Sequence, residues 1–91
     1  MTDSAPEVII MFALKQGAPE RVAEFRWSTA TGVVLNVFDT GWGEIARQYF
    51  EQGVPDDAEM RLIPRSDGRA FMKALATLDR GSYCSFVVED S

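Results

Sequence analysis

A chain of 91 residues has room for one hydrophobic core, because two cores of half this size would each bury too little surface to hold. Its composition, 46% hydrophobic with six phenylalanines, two tyrosines and two tryptophans and 25% charged, is globular and excludes disorder as the general state. Nine basic against fourteen acidic side chains leave a formal charge of −5 and argue against a basic face for nucleic acid, while the absence of histidine removes the commonest general base and the commonest metal ligand.

A single cysteine, Cys84, rules out a disulfide within the chain and, with no histidine, leaves zinc without a credible ligand set. Small domains lacking both staples are commonly stabilised by a partner subunit. The polar, acidic start Met1-Thr2-Asp3-Ser4-Ala5-Pro6-Glu7 lacks the basic region of a secretory signal. The longest apolar run, Val8 to Leu14, is far shorter than the roughly 20 residues that cross a membrane. A cytoplasmic protein without membrane contact is expected.

Residues 1–6 read as a disordered leader and 7–91 as a single α+β domain. The run Val8 to Leu14 is rich in β-branched residues and bounded by Gly17-Ala18-Pro19, which predicts a central strand buried on both faces. Residues 19–27 carry two signals. Pro19-Glu20 would open a helix, but Ala23, Phe25, Trp27 and Thr29 alternate with Glu24, Arg26 and Ser28, the period of a strand. The alternation resumes at Val33, Leu35 and Val37, and Gly32 supplies the positive φ of a short hairpin loop, so 21–29 is expected to pair with 32–39.

Asp39-Thr40-Gly41-Trp42-Gly43 ends that strand, and Glu44 to Gln52 predicts a helix whose Trp42, Ile45, Ala46, Tyr49 and Phe50 form one stripe. Gly53 and Pro55 mark its end. Met60 to Ile63 predicts a short edge strand closed by Pro64. Ser66 is the expected N-cap of a second helix reaching Leu78, with Phe71, Ala74, Leu75 and Leu78 as its apolar stripe. Ser82 to Glu89 is the last strand. The resulting order, β-β-β-α-β-α-β, predicts a mixed five-stranded sheet with two helices packed on one face; a parallel final β-α-β unit would cross over right-handed.

Three arginines fall within Arg61-Leu62-Ile63-Pro64-Arg65-Ser66-Asp67-Gly68-Arg69 at a strand-to-helix junction. Arg65, Ser66, Gly68 and Arg69 are the candidate site for a small anion, since helix N–H groups, a glycine's close approach and guanidinium forks suit phosphate or carboxylate. The alternative assigns Ser66 to capping and the arginines to surface ion pairs. Trp42, between two glycines, and Tyr49 are the candidate protein-contact residues, with docking onto the core as the alternative. Asp56-Asp57-Ala58-Glu59 lacks the spacing of a calcium loop and reads as a solvated turn. Asp39 and Glu44 read as charges favouring a helix start rather than an acid/base pair. Cys84 reads as a buried apolar side chain.

Serine and cysteine nucleophiles have no imidazole here, and neither a P-loop nor a dinucleotide fingerprint occurs, so no catalytic residues, cofactor or metal are expected. The leading expectation is a small acidic protein-interaction module that pairs with itself or another protein. One alternative is an anion-binding or enzyme domain using Arg65 to Arg69. Another is an acidic inhibitor imitating nucleic acid, which the interleaving of acids and bases along the chain disfavours.

Overall fold

The computed structural model of the protein describes residues 5–56, 60–78 and 84–89. The apolar run forms β1 (Val8–Lys15), which turns at Gln16 and Gly17 and returns as β2 (Ala18–Ser28). Both turn residues have positive φ, 55° and 84°, the geometry of a two-residue hairpin turn whose twist matches its strands. Residues 19–27 are therefore strand and not helix, and Pro19 sits at the start of β2, where little of the ladder depends on its missing N–H. The loop after Ser28 is closed by the Thr31 N–H, which donates to Ser28 Oγ at 3.1 Å. Gly32 follows at φ 71° and opens β3 (Gly32–Val37), the expected second arm of the hairpin.

One irregularity in this hairpin decides what the sheet buries. Met11 lies opposite Ala23 but Phe12 lies opposite Arg21, leaving Val22 as the extra residue of a bulge. Val22 thereby joins Ala23 in the core, so residues 22–25 are buried in succession within a strand that otherwise alternates.

Helix α1 (Thr40–Gln52) starts earlier than the expected Glu44. The Asp39 carboxylate accepts from the N–H groups of Gly41 and Trp42 at 3.0 and 3.1 Å, satisfying two otherwise orphaned donors and drawing Gly41-Trp42-Gly43 into the first turn. Ala46 and Tyr49 are buried and Trp42 and Phe50 pack against the core, but Ile45, expected in the stripe, is 37% exposed. Gly53 ends the helix by donating its N–H to Tyr49 O at 2.9 Å.

The chain then makes a strand the sequence reading did not contain. β4 (Val54–Asp56) pairs antiparallel with β5 (Arg61–Ile63), with Pro55 opposite Leu62, and the Met60 N–H donates to Asp56 O at 2.8 Å. Helix α2 (Gly68–Thr77) follows, and β6 (Cys84–Val88) returns to β1. Ser66 is not the N-cap of α2. The Asp67 N–H closes a turn onto Pro64 O at 3.0 Å, so Ser66 is used inside that turn and Asp67 takes the cap position, its carbonyl accepting from the Phe71 N–H at 2.8 Å.

The main sheet has four strands in the order β3-β2-β1-β6, and every pairing among the described residues is antiparallel. The expected single five-stranded mixed sheet is thus corrected to a four-stranded antiparallel sheet and a separate two-stranded ribbon. The strand before α2 satisfies its ladder with β4, its near neighbour in the chain, and stays out of the main sheet; the β4–β5 ribbon packs on α2 instead. No parallel β-α-β crossover exists among these elements.

Both helices bury their apolar residues against one face of the sheet, where Ile9, Met11, Phe25 and Phe86 meet Phe71, Met72 and Leu75 of α2 and Tyr49 of α1. Ala5, within the expected leader, is buried in the same cluster; residues 1–4 lie outside those described. Val54 and Ile63 bring the ribbon into this core.

Lys15 and Asp39 form an ion pair that ties the first hairpin to the start of α1. The Lys15 hydrogen bond, followed by the N–H groups of Trp42 and Gly41, holds the Asp39 carboxyl below its ordinary 3.8, and the same bond with Asp39 raises the Lys15 ammonium above its ordinary 10.5. At acid pH the unfolded chain binds the Asp39 proton first, so this stabilisation is complete above 3.8 and is lost as pH falls through the lower folded value. The lysine side is complete below 10.5 and lost as pH rises through the higher folded value. Asp39→Asn keeps a capping oxygen but removes the charge. Urea unfolding across pH should show a stability gap between wild type and variant at neutral pH that closes below 3.8; a gap constant with pH would disprove the assignment.

Candidate functional site

The junction singled out in the sequence, Arg65 to Arg69, is built on two aromatic rings. The Arg65 guanidinium lies 4.2 Å from the centre of the Phe50 ring, and its Nη1 donates to the Phe50 carbonyl at 3.3 Å. The Arg69 guanidinium lies 5.6 Å from the centre of the Trp27 ring. Cation–π stacking of this kind orients an exposed arginine without a carboxylate. Neither arginine pairs with an acidic side chain among the described residues; Glu59, one of the expected partners, lies outside them.

Gly68 fits because it has no side chain. A Cβ there would fall 2.0 Å from Trp27 Nε1, so the indole of β2 lies directly against the first residue of α2. Ser66 is exposed in the preceding turn. The four residues therefore remain neighbours at the head of α2, but their partners are Trp27 and Phe50, which the sequence reading treated as packing residues. The signal was present: Trp27 has the inward phase of β2, and a glycine opening a helix is the natural counterpart of a large ring.

Trp42 is half-buried and packs against the core. Tyr49 is only 9% exposed, its ring edge-on to Phe86 at 5.8 Å, and so has little surface to offer a partner. Cys84 is buried. Of the acidic stretch, Asp56 lies in β4 and residues 57–59 lie outside those described. No cluster of three or more His, Cys, Asp or Glu that could hold a metal occurs among the described residues, and no helix among them is long and apolar enough to cross a membrane.

A second surface was not foreseen. On the sheet face away from the helices the strands present Val8, Ile10, Phe12 and Leu14 of β1, Val34 of β3 and Val87 of β6, as register and alternation require. Leu14, Val34 and Val87 are each 40–48% exposed, and Phe38, just beyond β3, is 54% exposed. Charge on this face is paired. The Glu24 carboxylate accepts from Arg26 Nε at 2.6 Å and Asn36 Nδ2 at 3.4 Å, and Arg21 reaches from β2 across β1 to Glu89 at 3.4 Å. That second pair bridges the region between Val8 and Phe12 where Ile10 sits, which accounts for Ile10 being 2% exposed on a face no helix covers. Aliphatic stems of long charged side chains cover apolar surface in this way while their heads stay in water.

A smaller exposed apolar set lies on the ribbon, where Pro55, Asp56, Met60, Arg61 and Leu62 line an open hollow and Met60 stands out at φ 56°. No protein-family model, characterised protein or solved structure matches the chain, so the arrangement of these surfaces is what bears on function.

Proposed function

We propose that this protein is a small, non-catalytic, cytoplasmic protein-interaction module that associates with itself. The observation that carries the reading is the helix-free sheet face, where Leu14, Val34 and Val87 stay 40–48% exposed among the Arg26–Glu24 and Arg21–Glu89 pairs, with no helix over them. Exposed apolar side chains rimmed by polar groups on a small domain are a mark of a partner site. Its charges support a like partner in particular. Arg21 and Arg26 balance Glu89 and Glu24 there, so the excess negative charge of the chain resides elsewhere and does not repel a second copy at this surface.

The stacked arginines fit the same reading, since arginine and tryptophan are the residue types that dominate binding energy at protein interfaces. Light scattering coupled to size exclusion, run on the full chain over a wide range of concentrations, should give a mass that rises above the monomer. A strict monomer at every concentration would overturn self-association.

A further inference from the structure

We infer that the outer edge of β6 is where this self-association takes place, its occupant a second copy of the chain paired antiparallel about a two-fold axis at Val87; the inference rests on the self-association proposed above. Val87 and Val88 are consecutive residues of one strand, so their side chains point to opposite faces of the sheet. Both are nonetheless widely exposed, at 47% and 42%. A partner docked on either face covers one of them. A strand added alongside β6 covers both.

The backbone is set for such an addition. β6 ends the sheet and, among the described residues, pairs only with β1. The Glu89 N–H donates to Val8 O at 3.0 Å, and the register continues as Val88 opposite Ile9 and Val87 opposite Ile10. In an antiparallel ladder hydrogen-bonded and non-bonded pairs alternate, so Val87 directs its N–H and C=O toward β1 while Phe86 and Val88 direct theirs to the open edge. A two-fold axis at Val87 brings Phe86 of each copy opposite Val88 of the other, matching outward donors to outward acceptors. The two Val87 side chains then meet in the close, non-bonded pair between them.

Charge selects the same arrangement. In this register Glu89 comes opposite Ser85, whereas a parallel pairing would set Glu89 against Glu89 in a chain already at −5. The strand itself, Cys84-Ser85-Phe86-Val87-Val88, contains none of the charged residues, prolines or bulges that keep edge strands apart. The pairing closes on itself as a dimer, since one isologous contact uses the β6 edge of both copies.

The test uses the full chain and three variants. Val88→Pro removes an outward N–H and leaves the β1 ladder intact, Val87→Lys sets two ammonium groups against each other at the axis, and Arg47→Gln alters an exposed position of α1 outside the helix-free face and the β6 edge. Light scattering should show wild type and Arg47→Gln dimerising alike, and both β6 variants weakened by tenfold or more in dissociation constant, about 1.4 kcal/mol or more. In the wild type, amide exchange at Phe86 and Val88 should slow as protein concentration rises, while Glu89, bonded inward, should not respond; this measurement decides the matter even if a variant fails to fold. A wild type that dimerises with both β6 variants unaffected, or with exchange at Phe86 and Val88 independent of concentration, overturns the β6 assignment and leaves self-association standing. A wild type monomeric throughout overturns self-association itself.

Discussion

Replacing Phe25 with alanine should remove most of the stability of this domain. Phe25 is fully buried at the centre of β2, its ring 6.1 Å from that of Phe71 on α2 and 6.5 Å from that of Phe86 on β6. It is therefore the side chain through which the first hairpin, the second helix and the last strand touch one another. Truncating a buried phenylalanine costs about 3–5 kcal/mol, the lost transfer energy plus the cavity that remains. Net stabilities of single domains are about 5–15 kcal/mol, and a chain of this length without disulfides belongs at the lower end. Urea unfolding followed by circular dichroism should show Phe25→Ala largely unfolded in buffer or with a midpoint close to zero denaturant. Phe25→Leu, which refills part of the volume, should lose markedly less. A loss below about 1 kcal/mol in the alanine variant would mean that Phe71 and Phe86 close the space, and the central place given to Phe25 would be wrong.

Among the described glycines at positive φ, Gly53 is where an added methyl should do the most damage. Gly53 ends α1 at φ 109° and ψ 171°, a backbone conformation reached essentially only by glycine. An added Cβ would lie 2.7 Å from the Ile63 carbonyl oxygen and 3.1 Å from its carbon, and those atoms are main chain of β5 and cannot swing aside. Backbone strain and overpacking together should cost about 2–4 kcal/mol. Gly17 provides the control. It has φ 84° but nothing within 4 Å of the position its Cβ would take, so Gly17→Ala should pay the conformational part alone, about 1 kcal/mol. Equal losses at the two positions, measured as shifts in urea midpoint, would show that the contact of Gly53 with the β4–β5 ribbon contributes nothing.

Both substitutions probe long-range contact, and that is where the sequence reading was least complete. The elements themselves were largely legible. A β-branched run became β1, the period of two across Ala23, Phe25 and Trp27 became β2, and Gly32 and Gly53 occupy the turn and helix end assigned to them. Local chemistry decides such features within a few residues, so a single chain can disclose them. The ribbon was missed because three residues carry no usable periodicity and Pro55 reads as a break. The bulge at Val22 was missed because its mark, Val22 beside Ala23, falls at the start of the alternating run, where it reads equally as the opening of a helix. Ser66 and Asp67 are both good caps, and the turn closed onto Pro64 chose between them.

The candidate surfaces divide in the same way. Arg65, Ser66, Gly68 and Arg69 were recognisable as a group because they are neighbours in the chain, but their rings come from residue 27 of β2 and residue 50 of α1. No local pattern couples positions so far apart. The helix-free face was invisible for a related reason: apolar residues on both faces of β1 say that both are covered, not what covers each. On one side the cover is Phe71, Met72 and Leu75 of α2; on the other it is Glu24 held by Arg26, and Arg21 reaching Glu89 over β1.

Length, charge and the missing histidine are read from the sequence alone, and with them the acidic α+β character of the chain and its lack of an imidazole. Strand order was decided only by tertiary structure. Both sides of β1 offered equivalent backbone donors and acceptors, and β6, not the short strand before α2, took the side left by β2. That choice leaves β6 at the end of the sheet with Val87 and Val88 exposed on opposite faces. An edge is a property of which strands have already paired, and pairing between residues 10 and 87 is determined by packing across the whole core rather than by anything written beside either residue.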